Sequence, residues 1–394
     1  MESILIKAVM PTYARYDLTL ERGQGVYVFD NTGKQYLDFG SGIAVNSLGH
    51  CHPHLVKTLK TQAEIFWHCS NLYNIPSQNL LAQRLVENSF ADSVFFNNSG
   101  AEAVELSVKV ARKYQSETGN AERYRVITIE GAFHGRSLAM LAAGRQVKHI
   151  QGFGPIVDGF DQVKFGDLTD MRQAIKPETA AIMVEPIQGE GGIRALDAAY
   201  IRGIRELADE FGLLLIVDEV QSGMGRTGKL FAYQNTGIKP DIMALAKGLG
   251  GGFPIGACLA KEKIAIQMGA GSHGSTFGGN PMATAVGNAV LDIILEKGFL
   301  KNVGELSTIF CRKLQNLIDQ QPKFFTELRG AGLMLGLQCS ENIENGTIVE
   351  RLLHNGLLTV PAADNVIRLI PPLIIKKEHI EEASSILETT CNSF

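Results

Sequence analysis

Asp197-Ala-Ala-Tyr-Ile-Arg-Gly-Ile-Arg-Glu-Leu-Ala-Asp-Glu-Phe-Gly-Leu-Leu-Leu-Ile-Val-Asp-Glu219 carries two signals in one stretch. Ile201, Ile204, Ala208 and Phe211 recur at helical spacing, Asp197 stands at the N-cap position, and Gly212 can end the helix. The run Leu213–Val217 that follows is apolar at every position, as a strand covered on both faces must be, and it stops at two carboxylates. A helix leading straight into such a strand is part of an alternating α/β layer.

The same alternation extends outward. Val94–Phe96, Arg125–Ile129, Ala180–Val184, Ile242–Leu245 and Ile255–Leu259 read as further strands, and Ser99–Tyr114 as a helix with Ala103, Leu106 and Val110 in one stripe. The expectation is a mainly parallel sheet with helices on both faces over residues 46–280. From residue 281 the pattern changes to two amphipathic stretches, Met282–Glu296 and Lys301–Gln320, then apolar runs at Leu333–Leu337 and Ile367–Ile375. These predict a smaller α+β unit over 281–394. Gly25–Phe29 and Gln35–Phe39, joined by Asp30-Asn-Thr-Gly33, predict a hairpin in an N-terminal segment, 1–45, that packs with the small unit.

Composition narrows the class. A chain of 394 residues with 45 % hydrophobic and 20 % charged content is long enough for two cores. The formal net charge of −4 argues against nucleic-acid binding, and no apolar run approaches the ~20 residues of a membrane span. The start, MESILIKAVMP, has its apolar run broken by Lys7 and lacks a small-residue cleavage site, a poor signal peptide. Cys51, Cys69, Cys258, Cys311, Cys339 and Cys391 form no CxxC and no framework, which fits reduced thiols in the cytoplasm.

Open α/β sheets bind ligands beyond the carboxyl ends of their strands, and four clusters fall there. Asn97-Asn98-Ser99-Gly100-Ala101-Glu102 joins a strand to a helix, with Ser99-x-x-Glu102 in capping-box form; its first N–H groups suit a phosphate. Asp218-Glu-Val-Gln221 closes the most apolar strand. Lys247 follows Ile242–Ala246 and precedes the glycines 248 and 250–252, and Ser275-Thr276 lies in a second glycine-rich stretch. Singly, each is an ordinary cap, surface carboxylate or solvated lysine. Together they provide a phosphate cup, an acid for a pyridine nitrogen and an amine for an aldehyde, the needs of pyridoxal phosphate.

Competing patterns are weaker. Gly223–Leu230 nearly matches the phosphate loop GxxxxGK[ST], but Leu230 replaces the hydroxyl that would hold magnesium. The same glycines, 223, 225 and 228, fit GxGxxG with Asp241 eighteen residues beyond the first, yet the sequence after them is too short for the helix a nucleotide site needs. Gly269, Gly271 and Gly274 fit it too, without a preceding strand. His50-Cys-His-Pro-His54, with His68 and Cys69, lacks zinc-site spacing and predicts a turn with polar packing and no metal.

With these clusters in order, the chain resembles the class III aminotransferases of fold type I, and among them the acetylornithine branch. The resemblance runs from about residue 15 to 375. It rests on Phe39–Val45, Leu48–Pro53, Asn98–Ala103, Ala132-Phe-His-Gly-Arg136, Val184-Glu-Pro-Ile-Gln-Gly-Glu-Gly-Gly192, Asp218–Gly228, Ala246–Gly256 and Gly274–Pro281.

The resemblance implies pyridoxal 5'-phosphate as cofactor, with Lys247 joined to its aldehyde and serving as the proton carrier. It implies Asp218 on the pyridine nitrogen, Gln221 on the phenolic oxygen, Phe133 on the ring face, and Gly100 and Ala101 on the phosphate. Thr276 would reach the phosphate of a neighbouring subunit, so a homodimer with shared sites is expected. Arg136 would hold a substrate carboxylate, Ser275 would contact substrate, and Glu190 would mask Arg368 until glutamate enters. The implied reaction passes the terminal amine of N2-acetylornithine to 2-oxoglutarate, with succinyl-diaminopimelate as a further donor. Ornithine, succinylornithine and 4-aminobutyrate transamination are the sibling readings, an aminomutase or racemase is another class, and a nucleotide-binding module is the non-enzymatic alternative.

Overall fold

A computed structural model describes residues 8–394, so the reading of Met1–Lys7 lies outside the described residues. Seven strands, numbered in chain order, form the central sheet: β1 Ser93–Asn97, β2 Arg125–Ile129, β3 Phe160–Val163, β4 Thr179–Val184, β5 Leu214–Asp218, β6 Ile242–Leu245 and β7 Gly256–Ala260. Their order across the sheet is β1-β7-β6-β5-β4-β2-β3. The pairs from β6 to β3 are parallel, whereas β7 runs antiparallel to both of its neighbours. Six strands therefore share one direction, and their carboxyl ends meet along one edge.

The unbroken apolar runs follow from burial on both faces. On β5, Leu215 and Val217 join one core with the helix Ala198–Phe211, while Leu214 and Ile216 join the core beneath the helix Gly100–Glu117. Successive strand residues point to opposite faces, so no polar position is tolerated between them. Asp197 caps its helix by accepting from Ala199 N at 2.6 Å, and Gly212 ends it at φ +65°. Edge strand β3 escapes the sequence reading, because Phe-Asp-Gln-Val is short and half polar where one side has no neighbour.

The expected N-terminal hairpin pairs Tyr27–Asp30 with Gln35–Asp38, and Leu20–Gln24 adds a further strand. Leu357–Leu358 pairs in parallel with Gln35–Asp38, linking the chain's two ends. Met334–Cys339 lies between Phe325–Ala331 and Val366–Leu369 in an antiparallel sheet. Only the start of the expected apolar run at 367–375 is strand, since Pro371 and Pro372 cannot continue a ladder.

The helix Pro281–Ile294 differs from the expected boundary at 281. Its Ala283, Val286, Val290 and Leu291 belong to the core of the seven-stranded sheet, and the second core takes Val26, Leu37 and Phe39 and then resumes at Val303 on the helix Phe299–Gln320. Among the described residues no helix is long and apolar enough to cross a membrane.

Replacing Asp197 by Ala removes the cap without touching the carboxyl edge. The variant is expected to lose about 1 kcal/mol of stability, read as a lower midpoint in urea unfolding.

Candidate active site

A cavity of about 410 Å³ opens at the carboxyl edge, and five sequence clusters converge on its wall. Asn98, Ser99, Gly100 and Ala101 come from the end of β1, Phe133, His134 and Arg136 from the segment after β2, Glu185 from the end of β4, Asp218, Val220 and Gln221 from β5, and Lys247 from β6. Strand direction alone brings them together.

Ser99 caps the helix Gly100–Glu117 by accepting from Glu102 N at 3.2 Å. The expected reciprocal bond is shifted by one residue, since Glu102 accepts from Asn98 N at 2.9 Å rather than from Ser99 N. Gly100 and Ala101 sit at the first turn, where N–H groups have no partner inside the helix and point along its axis. Glycine is required at 100, because a Cβ there would lie 2.7 Å from Val220 Cγ1.

Asp218 is buried at the end of β5. Its Oδ1 accepts from Val220 N at 3.0 Å and its Oδ2 lies 2.8 Å from His134 Nδ1. An ionised carboxylate only accepts, so that imidazole nitrogen carries the proton. Burial opposes a charged His134, but the bond to Asp218 and the charges of Asp218 and Glu185 outweigh it and raise its pKa. Burial pushes the neighbouring Glu185 carboxyl up to about 7, although Phe133 N donates to it at 2.8 Å.

Lys247 takes a left-handed backbone at φ +45°, unusual for a residue with a side chain and characteristic of strained functional positions. Burial lowers its amine pKa to about 8, with Arg368 acting in the same sense and Glu190 against it. Arg368, 1 % exposed, grips Glu190 through two bonds of 2.6 and 3.2 Å. Burial would raise the Glu190 carboxyl, but Arg368 prevails and holds it below its ordinary range. Arg368 also donates to Gln221 Oε1 at 3.4 Å, which places the ion pair directly behind Gln221.

Phe133 and Arg136 stand at the cavity mouth, the guanidinium 5.6 Å from the ring centroid and 3.1 Å from His149 Nε2. Ser275 and Thr276 do not line this chain's cavity. Ser275 Oγ accepts from Asn98 Nδ2 at 3.2 Å, and Thr276 is exposed beside it. Sequence reasoning missed His134 and Glu185. Glu185 follows a fully buried strand, as Asp218 does, and that signal alone could have found it.

The competing patterns fold as structural elements. Gly223–Lys229 is a series of turns followed only by the four-residue 3-10 helix Ala232–Asn235, and its Arg226 is buried, donating to Leu333 O at 3.1 Å. Asp241 pairs with Arg205 and Lys261 at 2.6 and 2.8 Å. His50 and His54 pair with Asp38 and Asp292, and among the described residues no group of three or more His, Cys, Asp or Glu could hold a metal ion.

The family model described as aminotransferase class-III matches residues 9–391. An acetylornithine aminotransferase of Brucella melitensis is 55 % identical over 388 residues, covering 98 % of this chain and 96 % of that protein. The crystal structure of N-acetylornithine aminotransferase from Stenotrophomonas maltophilia is 37 % identical with a TM-score of 0.85, covering 97 % of each chain. An ornithine aminotransferase structure from Toxoplasma gondii, described with partial occupancy of PLP at its active site, has a TM-score of 0.94 at 31 % identity, covering 98 % of this chain and 92 % of that one. With strand order, cavity and full-length similarity in agreement, the chain belongs to the class-III aminotransferases.

Proposed function

We propose that this chain is a cytoplasmic, pyridoxal 5'-phosphate-dependent aminotransferase of arginine biosynthesis. It moves the terminal amino group of N2-acetyl-L-ornithine to 2-oxoglutarate, giving N-acetylglutamate 5-semialdehyde and L-glutamate, and takes N-succinyl-diaminopimelate as a further donor. The observation that carries this reading is the meeting of buried Asp218, Lys247 and a free helix N-terminus in one cavity.

The residues present fit the cofactor. The N–H groups of Gly100 and Ala101 would hold its phosphate, Phe133 would cover its ring, and Asp218 would take its pyridine nitrogen. Bound pyridoxal 5'-phosphate supplies the electron sink that no side chain offers. Asp218 would hold the proton on the pyridine nitrogen through a charge-assisted bond. The carbonyl end of Gln221 is committed to Arg368, so its amide NH₂ is left to donate to the phenolic oxygen. The Lys247 amine would hold the cofactor's aldehyde and would be the group that takes and returns the proton of the substrate's reacting carbon. Its pKa of about 8 lets it serve as base and then acid near neutral pH.

Two substrates take turns in one site. Arg136 binds a carboxylate through its planar fork. With acetylornithine, whose reacting carbon bears no carboxylate, Arg368 stays masked by Glu190; with glutamate the Glu190 carboxylate, 28 % exposed, swings away and Arg368 takes the substrate's α-carboxylate. Ser275 contacts substrate and Thr276 reaches the phosphate in a second copy of the chain. Exposed Trp67, Leu72, Tyr73 and Phe277 surround that segment, and Asn71 ties the two stretches together through Ser275 O and Gly278 O at 3.1 and 2.8 Å. An apolar face of this kind supports a homodimer with shared sites.

Initial rates with 2-oxoglutarate are expected to be highest for acetylornithine, and brisk ornithine turnover beside negligible acetylornithine turnover would contradict the choice of donor. Lys247→Ala is expected to lower turnover by at least about 10²–10⁴-fold. Arg368→Lys keeps charge but loses the fork, and is expected to weaken glutamate use by roughly 10–150-fold with little effect on acetylornithine. In the cofactor-free protein, acylation of Lys247 should rise through pH 8, where the neutral amine appears, rather than near the ordinary 10.5.

A further inference from the structure

We infer that Arg226 is a positioning residue for the glutamate step, holding in place the strand that carries Arg368. The role presupposes that Arg368 takes the α-carboxylate of glutamate, and deepens that reading by naming what fixes the guanidinium.

Arg226 is 2 % exposed, in the turns that follow β5. A buried guanidinium ordinarily faces a carboxylate. This one bonds to none among the described residues, and burial alone acts on its pKa, lowering it. Its hydrogen bonds go to two main-chain carbonyls: Nη1 donates to Leu333 O at 3.1 Å and to Pro371 O, while Nη2 has no partner among the described residues. Holding a charge out of water on carbonyls alone is costly, so the position of those carbonyls matters.

Both lie at one corner of the smaller sheet. Leu333 leads into Met334–Cys339 and Pro371 follows Val366–Leu369, antiparallel partners in which Gly336 stands opposite Arg368. One nitrogen of Arg226 thus joins the entry of one strand to the exit of the other, three residues from Arg368. The main chain adds a further bond, from Leu333 N to Arg226 O at 2.9 Å. Gly332 permits this approach, because a Cβ there would lie 2.4 Å from Arg226 O. The turn itself is closed on either side, by Arg226 N donating to Gly223 O at 3.3 Å and Gly228 N to Gly225 O at 3.0 Å.

Residues 221–226 therefore meet the Arg368 strand twice, at Gln221 inside the cavity and at Arg226 behind it. Once Glu190 has left, Arg368 keeps only Gln221 Oε1 and Pro361 O, at 3.4 and 3.2 Å, as partners of its own side chain. Its aim then depends on its strand, and the Arg226 contact involves neither Glu190 nor the cavity. Arg136 comes from the segment after β2, outside this junction. Loss of the Arg226 donors should thus loosen the second carboxylate site and leave the first alone.

Equilibrium binding of two inert ligands to the cofactor-loaded protein tests the role. Glutarate carries two carboxylates and needs both Arg136 and Arg368. N2-acetyl-L-norvaline, which is acetylornithine without its terminal amine, carries one and needs only Arg136. Dissociation constants are measured by calorimetry for the wild type, Arg226→Met and Arg226→Lys. The glutarate constant is expected to rise roughly 10-fold in the Met variant and less in the Lys variant, which keeps charge and donors. The acetylnorvaline constant should stay within about twofold in both. Equal weakening of both ligands, or of neither, overturns the role and leaves the functional reading standing. A wild type that binds acetylnorvaline alone, or neither ligand, overturns the reading of Arg368 itself and the role with it. Should the Met variant fail to fold, the Lys variant decides on the same split: a rise confined to glutarate supports the role, and a shared or absent rise overturns it.

Discussion

Asp218 is a carboxylate held out of water at the end of a strand buried on both faces, and the rest of the site is arranged around holding it in place. Hydrogen bonds from Val220 N and His134 supply the donors that water would otherwise provide. Direction follows from the fold: β5 and β6 are parallel neighbours, so the anion and the Lys247 amine emerge side by side.

The adjacent Glu219 shows how differently two consecutive carboxylates can be used. It is also buried, but it accepts from Ala232 N and Tyr233 N at 2.7 Å each, fastening a turn beneath the sheet. Burial raises its carboxyl to about 7. Asp218 lines the cavity whereas Glu219 does not. The Glu190–Arg368 pair is a second charged device, separate from the first and joined to it only through Gln221. Glu190 takes two of the Arg368 hydrogen bonds, and Arg368 Nε is buried with no partner among the described residues.

Much of this was legible in sequence because burial on both faces leaves an unmistakable pattern. The runs forming β4, β5 and β6 could not be read as surface, and the cap and stop of the helix 198–211 lie where Asp197 and Gly212 place them. Elements whose stability comes from partners were not legible. β3 is half polar because it is an edge, and Phe325–Ala331 alternates weakly because one face is exposed. The placement of Pro281–Ile294 depends on which core receives its apolar face, which periodicity alone does not specify. In the site, Asp218 and Lys247 announce themselves by ending apolar strands, whereas His134 follows a loop and has no meaning until β2 and β5 lie close together.

The central claim is that the amine of residue 247 carries the cofactor opposite Asp218. Borohydride reduction of the holoenzyme followed by peptide mass mapping tests it most directly. One cofactor is expected to be fixed per chain, on the peptide containing Lys247. An adduct on any other lysine, or none at all, would contradict it.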